Sequence, residues 1–159
     1  MKKTILTLLI GLISLSSFTR PAVSYEQIAF DYFISRILST EFKNLSAIEF
    51  SGKTESTYST LGNYKFCLKP EEKLQSLMEG VTSGLAGIPK EIKYSQIKNV
   101  TITNVKEDSK DAKLYLYHSV RVADNFYVFF TLHQTNEKIS KYVVELNVEG
   151  EVIRYCRMG

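Results

Sequence analysis

The sequence predicts an α+β domain, and three observations carry that prediction. Residues 25–43 (YEQIAFDYFISRILSTEFK) repeat apolar side chains at helical spacing. The chain from Ile97 onward alternates apolar and polar residues, and its connections are short and turn-like. A helix followed by a run of neighbouring strands is the α+β order. Ten Tyr and nine Phe, with no Trp, agree with a folded and largely β-structured chain.

Residues 1–24 stand apart from that domain. Lys2 and Lys3 precede the apolar run Ile5 to Leu15, and a Ser-rich stretch leads to Ala22-Val23-Ser24. This is the layout of a cleavable export leader, with small residues at −3 and −1 if cleavage falls before Tyr25. The run is short for a bilayer span, which needs about 20 apolar residues. No Cys lies near the cleavage zone, so a bacterial lipid anchor is disfavoured. The expected product is secreted or periplasmic, a single domain of residues 25–159 with no stable membrane anchor.

Removing the leader changes the electrostatics. Lys2, Lys3 and Arg20 lie within it and every acid lies after it, so 20 basic and 17 acidic residues become 17 and 17 in residues 25–159. The pI of about 8.7 belongs mostly to the leader. With no net positive charge and no Lys/Arg run, a nucleic-acid partner is not expected.

The helix over residues 25–43 places Ile28, Ala29, Phe33, Ile37 and Leu38 on one stripe, widened by Phe30, Ile34 and Phe42. A stripe that broad belongs against a sheet. Residues 47–54 read as a short strand, 56–63 as turn-rich, and 64–68 as a strand carrying Cys67. Pro70 opens a second, short helix, where proline in the first turn is tolerated. Leu74, Leu77, Met78 and Val81 give that helix one apolar face, and Pro89 ends it. Gly80 to Gly87 lacks the Gly-Lys-Ser/Thr ending of a phosphate loop and reads as helix end and loop.

Residues 97–106, 113–122, 126–134, 139–148 and 151–156 are then strands. Turns at Asp124-Asn125, Asn136-Glu137 and Glu149-Gly150 make them an antiparallel meander. Cys67 and Cys156 are the only cysteines. In an exported chain they pair most simply as one disulfide, worth about 4–5 kcal/mol in the loop-closure model. Two buried thiols are the alternative.

A long helix packed on a curved antiparallel meander resembles the small secreted cystatin-like and NTF2-like cones. The resemblance covers the order of elements, without a family motif. The cystatin Gln-x-Val-x-Gly loop is missing, and the helix–strand–helix opening departs from both patterns.

The expected turns also set a register. His118 then faces Thr131, Leu116 faces His133, and Thr131 faces Tyr142. One face carries Leu114, Leu116, His118, Val120, Tyr127, Phe129, Thr131, His133, Tyr142 and Val144, and packs on the helices. His118, Thr131, His133 and Tyr142 thus form a polar cluster among apolar residues, where a cone would hold a small ligand. A satisfied internal hydrogen-bond network is the competing reading. Two histidines without a carboxylate or thiolate beside them do not make a metal site, and no cofactor is implied.

The opposite face carries Tyr115, Tyr117, Val128 and Phe130, too apolar to be fully solvated. It predicts a protein contact or a homodimer. The functional expectation is non-catalytic binding of a small ligand or protein partner. The alternative is a small secreted or periplasmic enzyme with His118 or His133 as general base.

Overall fold

The computed structural model describes residues 23–56, 88–95, 100–106, 109–135 and 138–158. The leader up to residue 22, the expected strand at 64–68 with Cys67, and the helix opened by Pro70 lie outside the described residues.

The first helix forms where the apolar spacing requires it. It begins as α1 (Tyr25–Tyr32), widens into a π-helical stretch (Phe33–Leu38), and closes with the single turn α2 (Ser39–Glu41). Ala29, Phe30, Phe33, Ile34, Ile37 and Leu38 are all buried and recur in pairs every four residues. At 3.6 residues per turn such a repeat drifts by about 40° with each pair. The wider i→i+5 turn absorbs that drift, so all six side chains meet one sheet. On the exposed side, hydroxyls of Ser35, Ser39 and Thr40 donate to the carbonyls of Asp31, Ser35 and Arg36 at 2.6–2.7 Å.

Among the described residues seven strands form one mixed sheet: β1 (Ala47–Phe50), β2 (Thr101–Thr103), β3 (Ala112–Leu116), β4 (Val120–Val122), β5 (Asn125–His133), β6 (Ile139–Asn147) and β7 (Val152–Met158). Their order is β2-β1-β3-β5-β6-β7, with β4 also paired to β5. The α+β layout holds. The uniform meander does not, because β1 runs parallel to both β2 and β3. Strands β3 to β7 pair antiparallel.

The expected register is corrected. The tight turn falls at Ala123-Asp124, so Val122 pairs with Asn125, and Ala123 takes a left-handed φ of 52°. Further on, Leu116 pairs with Phe130 while Val120 pairs with Tyr127. Residues 117, 118 and 119 therefore oppose only 128 and 129, which is a one-residue bulge. Side-chain alternation has a period of two, so a one-residue slip turns a strand over. That is the fate of β5 relative to β3 and β6.

Val128, Phe130 and Leu132 consequently face the helix, with Leu114, Leu116, Tyr142, Val144 and Leu146. Phe33 stacks on Phe130 at 4.6 Å and 9°, and Phe30 on Phe50 at 4.9 Å. The other face holds a second buried cluster of Val120, Tyr127, Phe129 and Val143, with Tyr117, Val122 and Cys156 against it. Thus Tyr115, Tyr117, Val128 and Phe130 do not share a face. Val128 and Phe130 are 0% exposed in the helix-side core, so the homodimer surface drawn through these four is not there.

Candidate functional site

The same flip disperses the polar cluster expected from His118, Thr131, His133 and Tyr142. Tyr142 remains on the helix side, where its hydroxyl donates to Glu41 Oε2 at 2.5 Å. Its ring packs edge-on against Phe33 at 5.5 Å and Phe42 at 6.2 Å. Burial, and then the Glu41 carboxylate, push its phenol above the ordinary tyrosine range. Thr131 is buried on the opposite face, its hydroxyl 3.4 Å from that of Tyr117. His118 lies in the bulge, 4% exposed, with ring nitrogens 3.2 and 3.4 Å from the Thr54 hydroxyl. His133 closes β5 on the outer face and is half-buried.

The bulge builds a polar constellation that sequence reasoning missed. Ser119 follows His118 and gives both its main-chain N–H (3.0 Å) and its hydroxyl (2.7 Å) to Glu26 Oε1. Lys90 Nζ donates to the same oxygen at 2.6 Å. Lys90 also pairs its main chain with Thr54, the partner of His118. Glu26 is 0% exposed and its Oε2 is buried without a partner. Burial opposes ionisation of Glu26, but Lys90 and the Ser119 donors outweigh it and hold the carboxyl below its ordinary range. An acid in the first turn of an apolar helix was the available signal. It reads as dipole compensation until the bulge brings Ser119 to it.

Two further acids are buried on the outer face. Glu145 accepts from Asn125 Nδ2 at 2.6 Å and Tyr127 Oη at 3.1 Å, and pairs with Arg154. Glu49 accepts from the Lys106 N–H at 3.3 Å, with Lys113 Nζ 4.0 Å away. Glu49 Oε1 and the hydroxyl of its neighbour Thr103 are buried and unpartnered. Among the described residues no group of three or more His, Cys, Asp or Glu side chains is placed to hold a metal ion. Nor is any helix among them long and apolar enough to cross a membrane.

Among the described residues, open grooves reach the surface beside α1 and at the end of β5. One, of about 320 Å³, runs between α1 and residues 93–95, with Phe30 and Tyr94 as its aromatic floor. The Gln27 side chain there accepts from the Lys93 N–H and donates to the Lys93 carbonyl, both at 2.8 Å. The other, of about 260 Å³, lies at the end of β5 and is lined by Ser109, Lys110, Asp111, Lys113, His133, Gln134 and Thr135.

In the second groove Lys113 stands directly opposite His133 in the β3–β5 ladder. The Tyr115 ring lies 5.0 Å from the imidazole. Partial burial, and then the charge of Lys141, lower the His133 pKa, so the ring is neutral at pH 7. The groove therefore offers a neutral imidazole beside ammonium, carboxylate, hydroxyl and amide groups. These can orient a small polar molecule, and the imidazole can accept a proton.

Comparison with protein-family models, with curated proteins and with solved structures finds no match for this chain.

Proposed function

We propose that this chain is an exported, non-catalytic α+β domain that binds a small polar ligand in the groove at the end of β5. The observation that carries this reading is the convergence of Lys113, Asp111, Ser109 and Thr135 around the half-buried imidazole of His133. Sites of this kind combine a preformed concavity with a few polar groups that fix orientation. Export is supported by the leader layout of residues 1–24 and by the single pair of cysteines. We take Cys67 and Cys156 to form one disulfide, in keeping with no free cysteine among the described residues. A cystatin-like or NTF2-like cone is part of the same proposal. Helix 25–41 across one sheet face supports it, while parallel β1 departs from it.

A second reading, a small enzyme with His133 as general base, is favoured by the place of that imidazole in an open groove beside Asp111 and Lys113. Amide NMR of the exported protein with a pooled small-metabolite extract tests both. Shifts confined to Lys113, His133 and Thr135, lost in His133→Asn, are expected for binding. Consumption of a pool component that stops in His133→Asn marks the enzyme. Shifts confined to the α1 groove, or none, overturn the assignment to this site.

A further inference from the structure

We infer that cleavage before Tyr25 completes a buried ion pair, in which the α-ammonium freed on Tyr25 meets the Glu26 carboxylate and locks the head of the helix to the sheet. The inference rests on the export reading and goes beyond it. Two independent observations carry it. Glu26 is 0% exposed and presents a buried, unpartnered Oε2. It is also the residue immediately after the expected new terminus.

The carboxylate lies at the mouth of the helix. Its partners are its own main-chain N–H, both donors of Ser119, and Lys90. The first N–H groups of a helix have no partner within it, and the amine of Tyr25 opens that set. Tyr25 is held in place from its other end. Its hydroxyl donates to the Val148 carbonyl at 2.9 Å, and its ring stacks on Phe126 at 3.6 Å and 11°. A freed amine is therefore delivered to a fixed place beside Glu26.

Cleavage has a cost that the pair offsets. It removes the Ser24 carbonyl that accepts from Ile28 N–H at 3.1 Å. It also puts a positive charge at the positive end of the helix dipole. A buried carboxylate in the first turn counters both. In the uncleaved chain the same position is a neutral peptide bond, so the lock forms only on the processed product. A loose precursor and a tighter mature domain are what export followed by folding requires.

The pH signature follows from the sign of the shift. Pairing raises the α-ammonium above its ordinary pKa of about 7.7–8.0, so its contribution is full below that range. It is lost as pH rises through the raised value. Among the described residues the Lys90 ammonium meets the Glu26 carboxylate there, and Arg121 stands over the Phe126 ring on which Tyr25 stacks, its guanidinium 5.8 Å from the ring centre. His118 adjoins Ser119 but bonds Thr54.

The test expresses the full chain with its leader and collects the exported product, whose N-terminus is read by mass spectrometry. Part of it is acetylated at the α-amine alone, verified as a single adduct. We expect a Tyr25 terminus, a lower Tm for the blocked form at pH 7, and a gap that closes as pH rises past the raised amine pKa. In Glu26→Gln the gap is expected to vanish. If that variant does not fold, the wild-type α-amine pKa, read by NMR after isotopic reductive methylation, decides instead. Equal Tm for free and blocked forms, or an amine pKa at or below its ordinary value, overturns the ion pair. A mature terminus other than Tyr25 overturns the premise of cleavage, and it does so without reference to Tm.

Discussion

Ser119 donates twice to one oxygen of Glu26, through its amide at 3.0 Å and its hydroxyl at 2.7 Å, although 93 residues separate them. The pairing ties the first turn of the helix to the bulge between β3 and β4. Glu26→Ala leaves the half-buried Ser119 donors without that acceptor and breaks the bond to Lys90. A loss of about 1–3 kcal/mol is expected from the unsatisfied donors. The Lys90 side chain is 53% exposed, so its charge adds little through solvent. Because the folded pKa of Glu26 is lowered, its contribution is present above the unfolded carboxyl pKa. It is lost as pH falls through the folded value. Urea unfolding of wild type and Glu26→Ala should therefore differ at pH 7, with the gap narrowing as pH falls through the folded value.

The Phe33–Phe130 stack makes a second prediction, one that separates the two registers. With Phe130 on an outer surface, alanine there changes stability little. With Phe130 sandwiched at 4.6 Å on a helix ring and 0% exposed, Phe130→Ala costs about 3–5 kcal/mol. Denaturant unfolding of the single variant decides between them.

The helix and the strands were legible because their apolar periods are long and unbroken. The helical stripe from Ala29 to Leu38 gave the element and its buried side. It did not reveal the π-helical stretch, which emerges only when a four-residue repeat must stay on one face. Strand existence was readable from alternation, whereas facing was not. Moving the turn from Asp124-Asn125 to Ala123-Asp124 shifts the pairing by two residues and keeps the faces. Strand β5 is inverted against β3 by the extra residue at 117–119, and against β6 by a one-residue shift that pairs Phe130 with Tyr142. The bulge at residues 117–119 leaves no composition signal either. Val120 looks like a continuation of the Leu114, Leu116 alternation, yet it lands on the other face. Everything inferred about the histidine cluster inherited that parity, so the site was misplaced while most elements stood.

Tyr142 gives a third prediction, at alkaline pH. Burial and the Glu41 carboxylate raise its phenol well above 10, so the neutral form is the one the fold favours. That contribution is present below the unfolded tyrosine pKa and is lost as pH rises toward the folded value. In ultraviolet difference titration, the Tyr142 phenol should ionise only with unfolding. Tyr142→Phe should remove that coupled step. It should also lower stability at pH 7 by about 0.5–1.5 kcal/mol through the lost bond to Glu41. A Tyr142→Phe protein whose titration curve keeps the late phenol assigns that behaviour to another tyrosine.

His133 gives the last prediction, in the acid range. Partial burial and Lys141 lower its pKa, so the neutral ring is the favoured form in the folded protein. The sign is that of a depressed group. Any stability it contributes is present above the unfolded histidine pKa of about 6.5 and fades as pH falls through the folded value. Proton NMR of the two imidazoles should show the His133 resonances moving at lower pH than a model histidine. In Lys141→Gln the midpoint should move back toward the model value, since one of its two causes is gone. His133→Asn should leave the Tm at pH 7 nearly unchanged, because the ring lines an open groove rather than the core. A midpoint unmoved by Lys141→Gln contradicts the placement of that ammonium beside the ring, and with it the electrostatics assigned to the groove.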